Sequence, residues 1–377
     1  MPCSSYRVGF AGPGPFPMAA AAPTAAPDHA SRAPNLPWRC AVRPRVFVSQ
    51  PIPEPALDML REVAEVNVFP RLDRNMSEDE WIMAAQRSDY LFVMGGNIIT
   101  ANVIKANPKL KGIGMVHRRL PVNNSIDLDT ARALGVPVVF QYPWEPVYDR
   151  IAEATCDLTI AMILDLAYRL IDSDRYTRSG RTLQEHTMAL MGPGVTGKIA
   201  GLLGLGKVAR KMVPRLRALR MTVLYTKRTR LAPEQERELG VEWADQGEIL
   251  RRSDFVCLEY DYNPSTHKMI GEREFALMKP TAYFINTARG RIVDEPALVR
   301  ALQNRTIAGA ALDVFWHEPP GSPEMAPSEE FFKMDNIILA PHNGGATWDA
   351  RTELTKLTAR QIVALIAGER PEGLVTD

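Results

Sequence analysis

Short apolar segments alternate with longer amphipathic segments along most of this 377-residue chain, starting near Arg45. At the beginning of the pattern, residues 46–48 and 66–69 read as strands and residues 54–63 as a helix. Strands that alternate with helices are typical of a parallel sheet covered by helices on both faces. The chain is also too long for one small core. We therefore predict an α/β protein with two domains.

The pattern also predicts where the domains begin and end. Residues 1–43 form an Ala- and Pro-rich extension that we expect to be disordered, since ten of the 30 prolines lie at or before Pro51. A dispensable extension, with synthesis starting at Met18, is the favoured interpretation, and a transit peptide is the alternative. The last helix, residues 349–367, has only the first unit left to pack against. We therefore predict a discontinuous substrate domain, residues 44–148 plus 347–377, and a dinucleotide-binding domain, residues 149–346.

Charge and cysteine usage narrow the possible partners. The 45 Lys and Arg residues almost balance the 44 Asp and Glu residues, so the net charge of +1 favours neither nucleic acid nor an anionic membrane. No apolar run reaches the length of about 18 residues that a membrane span needs. The four cysteines, Cys3, Cys40, Cys156 and Cys257, are scattered, which fits reduced thiols in a cytoplasmic enzyme and predicts no metal site.

A glycine-rich turn at residues 204–209 (GLGKVA) stands between an apolar run and a helical pattern, the context that a dinucleotide-binding turn requires. Gly204 permits the tight turn, and Gly206 lets the backbone approach a pyrophosphate. The amides of Lys207 and Val208 would then face phosphate. An ordinary strand-to-helix turn is the alternative, and the flanking segments favour the cofactor site.

The residues after the next strand predict which cofactor binds. Enzymes that use NAD usually place a carboxylate about 20 residues beyond the turn, on the ribose hydroxyls. This chain has Lys227 and Arg228 there, and two cations would pair with a 2'-phosphate. We therefore predict NADP, with NAD less favoured. The alternative is a solvated basic loop.

Three runs near the C-terminus supply an Arg, a Glu and a His in that order: residues 286–290 (NTARG), residues 312–319 (LDVFWHEP) and residues 341–345 (PHNGG). Hydride transfer to a carbonyl builds an alkoxide, which needs a proton donor and a fixed positive charge. His342 can be the donor, Glu318 can hold its imidazole, and Arg289 can polarise the carbonyl and bind a neighbouring carboxylate.

From about Arg45 to the C-terminus the chain resembles the D-isomer-specific 2-hydroxyacid dehydrogenases, which include glyoxylate/hydroxypyruvate reductases and formate dehydrogenases. The resemblance implies two Rossmann-like, doubly wound parallel-sheet domains with a cleft between them, and a homodimer joined through the cofactor domains. It implies that Arg289, Glu318 and His342 are catalytic. Formate dehydrogenases carry Gln in place of Glu318, so this residue favours a true hydroxyacid or ketoacid substrate. By resemblance the cofactor site also includes Tyr260, Thr266, Thr287, Ala288, Asp313 and Gly344.

The chain departs from the family where a glycine-rich loop normally binds the substrate carboxylate through backbone N–H groups. It has residues 117–122 (HRRLPV) at this point, and Pro121 has no N–H to offer. A guanidinium of Arg118 or Arg119 could replace the missing amides, with His117 and Leu120 beside it. The alternative is that these residues form a solvated edge or pair with Asp127 and Asp129.

The sequence therefore favours an NADP(H)-dependent oxidoreductase that interconverts a 2-oxo acid and a (D)-2-hydroxy acid. One alternative is a dehydrogenase of an atypical substrate with a remodelled carboxylate site. An alternative of another class is an NADP(H)-sensing, corepressor-like binding protein, because such proteins resemble this family and keep the cofactor site.

Overall fold

The computed structural model describes residues 42–116, 125–142, 145–182, 188–316 and 327–376. All of the N-terminal extension except Val42 and Arg43 lies outside these ranges. Two parallel sheets carry helices on their faces, so the predicted α/β class, with two Rossmann-like units, is confirmed.

The first sheet has five parallel strands in the order β2-β1-β3-β4-β5. Its strand order reverses between β1 and β3, as in other doubly wound sheets. Helix α2 begins with a capping box in which Ser77 and Glu80 satisfy each other's backbone amides. The strands are β1 (Arg45–Val48), β2 (Glu65–Val68), β3 (Tyr90–Val93), β4 (Gly112–Met115) and β5 (Val138–Phe140), and the helices between them are α1 (Glu54–Val63), α2 (Glu78–Gln86), α3 (Ala101–Lys105) and α4 (Leu128–Ala133).

A helix pair leads to the second sheet. It consists of α5 (Glu145–Tyr168), followed at once by α6 (Leu170–Arg178). Arg169 separates them because it adopts a left-handed conformation with φ 52°. The Asp165 carboxylate accepts a hydrogen bond from the Ile171 amide, at 2.8 Å, and so fixes the start of α6.

The second sheet has seven parallel strands in the order β12-β11-β10-β9-β6-β7-β8. Its order reverses between β6 and β9, and ligands of open parallel sheets bind at the carboxyl ends of the strands beside such a reversal. The strands are β6 (Ile199–Leu203), β7 (Thr222–Thr226), β8 (Glu242–Trp243), β9 (Phe255–Leu258), β10 (Tyr283–Asn286), β11 (Gly309–Leu312) and β12 (Ile337–Leu339), and the helices are α7 (Lys207–Ala218), α8 (Pro233–Leu239), α9 (Gln246–Arg252), α10 (Glu272–Leu277) and α11 (Glu295–Gln303).

The last helix, α12 (Trp348–Ala367), returns to the first sheet, where it packs on α1, β3, β4 and β5. The chain after it pairs with β5, since the Val375 amide donates to the Val138 carbonyl at 3.0 Å. This packing supports the discontinuous substrate domain that we predicted, whose bounds stay a prediction. Among the described residues, no helix is long and apolar enough to cross a membrane.

Candidate active site

The glycine turn lies at the carboxyl end of β6, at the reversal of strand order. Gly204 has φ +116°, and a Cβ atom there would lie 2.7 Å from the Glu259 carbonyl oxygen. Both the backbone conformation and the close approach therefore require glycine. A Cβ atom at Gly206 would meet no atom within 4 Å, so the space above this residue is open. Ala209 is fully buried, where α7 packs on the sheet.

The positive side chains after β7 do not all have the same surroundings. Arg230 makes a two-pronged ion pair with Glu236, at 2.8 and 2.9 Å, and the Tyr225 hydroxyl donates to the same carboxylate at 2.7 Å. These bonds hold the pKa of Glu236 at about 2. Lys227 is half-buried and Arg228 is exposed, and neither forms an ion pair or hydrogen bond with another described residue. Two of the three cations after β7 are therefore uncommitted.

Tyr260 and Thr266 were both predicted to bind cofactor, and the structure gives them different surroundings. The Tyr260 hydroxyl reaches the Thr226 side chain at the end of β7, and burial raises the pKa of Tyr260 to about 12. Thr226 directly precedes Lys227, so the Tyr260 hydroxyl contacts the residue that leads to the uncommitted cations. The Thr266 hydroxyl donates to the Asp261 carbonyl at 3.0 Å and accepts from the Asn263 amide at 2.9 Å, so it stabilises the turn that follows β9.

A chain of hydroxyl groups connects the sheet to α5 at the carboxyl ends of β9 and β10. Thr287 hydrogen-bonds the Glu259 carboxyl group, and its oxygen lies 2.8 Å from the Thr159 hydroxyl oxygen. The Thr159 hydroxyl also lies 2.8 Å from the Thr155 carbonyl oxygen, so its one hydrogen can go to either acceptor. The Thr287 hydroxyl can therefore donate to the Glu259 carboxyl group, and this contact lowers the pKa of that group.

Burial favours the protonated form of Glu259. Desolvation raises the pKa of Glu259 from 4.5 to about 8, against a smaller opposing effect of the Thr287 hydroxyl. Its Oε1 atom is buried without a hydrogen-bonding partner in the part of the chain that is described. Burial also raises the pKa of the neighbouring thiols, Cys156 to about 12 and Cys257 well above its ordinary value. Both cysteines are buried free thiols.

The segment that carries His342 is fastened by Asp313. One carboxylate oxygen of Asp313 accepts from the Asn343 amide at 2.5 Å and the other from the Gly344 amide at 2.8 Å. The Thr155 hydroxyl of α5 lies 3.1 Å from the Gly344 carbonyl oxygen and 2.8 Å from the Ile151 carbonyl oxygen, and it can donate its one hydrogen to either. His342 itself is exposed and has φ +59°. A non-glycine residue in this conformation is strained, and such strain is common at functional sites.

Arg289 follows β10, two strands away from β12 and His342. The Asn286 side chain holds this turn by accepting from the Ala288 amide at 3.0 Å and donating to the Arg289 carbonyl at 3.1 Å. Gly290 comes next, and a Cβ atom there would lie 1.8 Å from the Phe315 carbonyl oxygen. The backbone is therefore fixed on both sides of Arg289, and Asp313 follows the intervening strand β11.

Some predicted site residues lie outside the described residues, namely Glu318 and the substrate candidates His117, Arg118, Arg119 and Leu120. Their predicted roles stay predictions. Sequence reasoning also missed residues that the structure brings to the site. Thr155 and Thr159 are four residues apart in an apolar helix, and this spacing could have predicted a polar face on that helix. Glu259 could have been recognised from the sequence, because an acidic residue there directly follows a buried strand.

Known proteins resemble this chain over most of its length. A glyoxylate reductase of Thermococcus gammatolerans is 37% identical over 338 residues, which cover 89% of this chain and 96% of the relative. The chain belongs to the D-isomer specific 2-hydroxyacid dehydrogenase family. The family's NAD-binding domain model matches residues 160–344. As an enzyme of this family, it is an NAD(P)-dependent oxidoreductase that acts on CH–OH groups.

Two solved structures are similar to this 2-hydroxyacid dehydrogenase. A protein from Thermus thermophilus has a TM-score of 0.71 and 30% identity and covers 88% of this chain and 99% of its own. An NADPH-dependent glyoxylate/hydroxypyruvate reductase from Sinorhizobium meliloti has a TM-score of 0.65 and 26% identity, with coverage of 88% and 98%.

The residues present fit a nicotinamide dinucleotide. The open space above Gly206 admits a close approach to the backbone, and the amides of Lys207 and Val208 begin α7, whose positive dipole end favours phosphate. In addition, the Lys207 ammonium lies 4.8 Å from the centre of the Tyr148 ring, a contact that positions this cation at the start of α7.

Proposed function

We propose that this enzyme reduces a 2-oxo acid to a (D)-2-hydroxy acid, or catalyses the reverse reaction, with NADP(H) as cofactor. The preference for NADP(H) over NAD(H) is supported by the different surroundings of the cations after β7. Arg230 forms an ion pair with Glu236, whereas Lys227 and Arg228 form no ion pair or hydrogen bond with another described residue. Two uncommitted cations at this position would pair with a 2'-phosphate, and no carboxylate occupies the place where NAD-specific sites hold the ribose.

The turn after β6 supplies the rest of the proposed cofactor site. Gly204 and Gly206 shape the turn, and the Lys207 and Val208 amides hold phosphate. Tyr260, Thr287, Ala288 and Gly344 lie along the carboxyl ends of the neighbouring strands and line the remainder. Thr266 contributes by fixing the turn that follows Tyr260. A bound reduced nicotinamide supplies a hydride to the substrate carbonyl.

The protein's own residues handle charge and proton. The Arg289 guanidinium binds the substrate carboxylate and polarises the carbonyl, because its delocalised charge and fork of N–H groups suit both oxygens. His342 donates the proton that converts the carbonyl oxygen into a hydroxyl. We propose that Glu318 holds the imidazole, and that Asp313 acts by fastening the His342 segment at two amides.

The named relatives suggest the first substrates to test. Glyoxylate is the substrate in the name of the Thermococcus relative, and hydroxypyruvate appears with it in the name of the Sinorhizobium protein. Both are small 2-oxo acids with one carboxylate, which is the group that Arg289 would bind.

We also propose the two-domain division given by the sequence and a homodimer joined through the cofactor domains. The contacts of α12 with β3, β4 and β5 support the division. Large apolar side chains on α6 and the chain around it are exposed, among them Tyr168, Leu170, Met188 and Met191. A second copy that covers them would remove this surface from water.

The experiment is a fluorescence titration of purified protein with NADPH and with NADH, followed by assays with glyoxylate and hydroxypyruvate. Arg228→Ala and Lys227→Ala should each weaken NADPH binding about tenfold or more, since a charge-assisted hydrogen bond contributes roughly 1.5–3 kcal/mol, and should leave NADH binding almost unchanged. Arg273→Ala removes an exposed cation on α10 and is the matched control.

A preference of the unmodified protein for NADH would contradict the cofactor proposal. Tight NADPH binding without turnover of any 2-oxo acid would contradict the proposed reaction.

A further inference from the structure

Arg351 is a partly buried cation without a counter-charge among the residues that the structure describes. It stands in the first turn of α12, and its guanidinium forms no ion pair or hydrogen bond with any other described residue. Desolvation alone lowers the pKa of Arg351, although a guanidinium stays charged at neutral pH. Burying an unpaired charge is costly, and the positive end of a helix is an unfavourable place for a cation. An anion at this position would remove both costs.

The packing of α12 on β4 shows where this cation lies. A Cβ atom at Gly112 would meet Leu365, and one at Gly114 would meet Ile362 and Thr358. The helix therefore runs antiparallel to the strand directly over its backbone. Strands rise about 3.3 Å and helices about 1.5 Å per residue, so two strand residues match roughly four helix residues.

The same progression continues toward the end of the strand. On the face of α12 that includes Thr358 and Ile362, the next positions are Thr355, which is fully buried, and then Arg351. Thr355 falls beside Val116, and Arg351 falls just beyond the carboxyl end of β4. Ligands of open parallel sheets bind at the carboxyl ends of the strands beside a reversal of strand order, and here the reversal lies between β1 and β3, next to β4.

We infer that Arg351 binds the carboxylate of the acid substrate from the side of the first sheet. The inference rests on the proposed function, since it assumes a 2-oxo acid. A guanidinium matches a carboxylate because both are planar and can form two parallel hydrogen bonds. The N–H groups at the start of α12 add positive potential at the same place.

Arg351 is also connected to the proton donor through the backbone. The segment of His342 leads directly into α12, whose N-cap Thr347 accepts from the Ala350 amide at 3.3 Å. Asp313 fastens the start of that segment. A carboxylate held by Arg351 would therefore be held by the same element that positions His342.

The test is calorimetric binding of oxalate, an unreactive dicarboxylate, to the full-length protein with NADP present, together with KM and kcat for glyoxylate. The variants are Arg351→Met, which keeps the length of the side chain without its charge, and Arg351→Lys, which keeps the charge without the fork. Arg360→Met removes an exposed cation from the same helix and is the matched control.

We expect Arg351→Met to raise the Kd of oxalate and the KM of glyoxylate at least tenfold, with NADPH affinity unchanged. Arg351→Lys should recover part of the loss, and Arg360→Met should behave as the unmodified protein. The melting temperature of Arg351→Met should be equal or higher, because an unpaired charge has been removed.

Unchanged oxalate and glyoxylate affinity in Arg351→Met would refute the inference, as would a lowered melting temperature, which would reveal a structural partner. Absence of oxalate binding to the unmodified protein would refute it as well. If the unmodified protein reduces no 2-oxo acid and oxalate affinity still falls in Arg351→Met, the carboxylate site stands while the proposed function fails.

Discussion

Replacing Glu259 by Gln should stabilise the protein at neutral pH. The Glu259 carboxyl group has a folded-state pKa of about 8 instead of 4.5 because it is desolvated at the carboxyl end of β9. The folded protein therefore keeps a proton that the unfolded chain releases at neutral pH. Stability from this group is fully present below pH 4.5 and is lost as the pH rises to 8. Gln carries no titratable proton and can still form a hydrogen bond with Thr287.

The size of the effect follows from the same pKa values. One pH unit corresponds to about 1.4 kcal/mol, so a rise from 4.5 to about 8 amounts to roughly 5 kcal/mol when fully expressed. A pH of 7 is 2.5 units above the pKa that the Glu259 carboxyl group has in the unfolded chain, whereas the same group is still protonated in the folded protein. The cost to the unmodified protein at pH 7 is then about 3 kcal/mol.

Urea unfolding of both proteins at pH 5, 6, 7 and 8 measures this difference. We expect the advantage of Glu259→Gln to grow by about 1.4 kcal/mol per pH unit in this range. Glu238→Gln alters an exposed carboxylate on α8 and should show no such slope. A difference between Glu259→Gln and the unmodified protein that is independent of pH would refute a raised pKa at Glu259.

Two further predictions concern other parts of the site. Gly206→Val should raise the Kd of NADPH about tenfold or more and leave the melting temperature unchanged, because the added atoms enter open space. Gly290→Ala should lower the melting temperature, because its Cβ atom would collide with the Phe315 carbonyl. Equal melting temperatures of the two variants would contradict this reasoning. Arg230→Met should lower the melting temperature at pH 7, where Glu236 is ionised. This loss should become smaller as the pH falls toward 2, because Glu236 is then protonated in the unmodified protein. A loss that is the same at every pH would contradict the ion-pair argument.

Much of the fold could be predicted because its strands are short, apolar and buried on both faces. The predicted strand at residues 46–48 lies within β1, and the predicted helix at residues 349–367 is α12 within one residue. The glycine turn could also be predicted, since Gly204 is required by its own backbone conformation. Local chemistry decides these features, and local sequence therefore reveals them.

Features that depend on distant residues could not be predicted. The two-residue strand β8 exists only because it lies beside β7. The raised pKa of Glu259 comes from burial, which the packing of separate elements creates. In the sequence, Arg351 looks like any exposed cation of a helix, and only the packing of α12 on β4 shows its partly buried position. Burial and partners are set by packing between segments, and no short stretch of sequence records them.

The return of α12 to the first sheet also affects how the protein is made. The strands of that sheet end at Phe140, but the helix and tail that cover and extend it lie at residues 348–375. At about 5–20 residues per second, a ribosome needs roughly 10 to 50 seconds to supply them. During this time β4 has Gly112 and Gly114 uncovered, whereas the second sheet has all its strands once residue 339 is made, before α12 begins. The half built on the second sheet can therefore fold during synthesis, and the half built on the first sheet is completed only when α12 and the tail have been made.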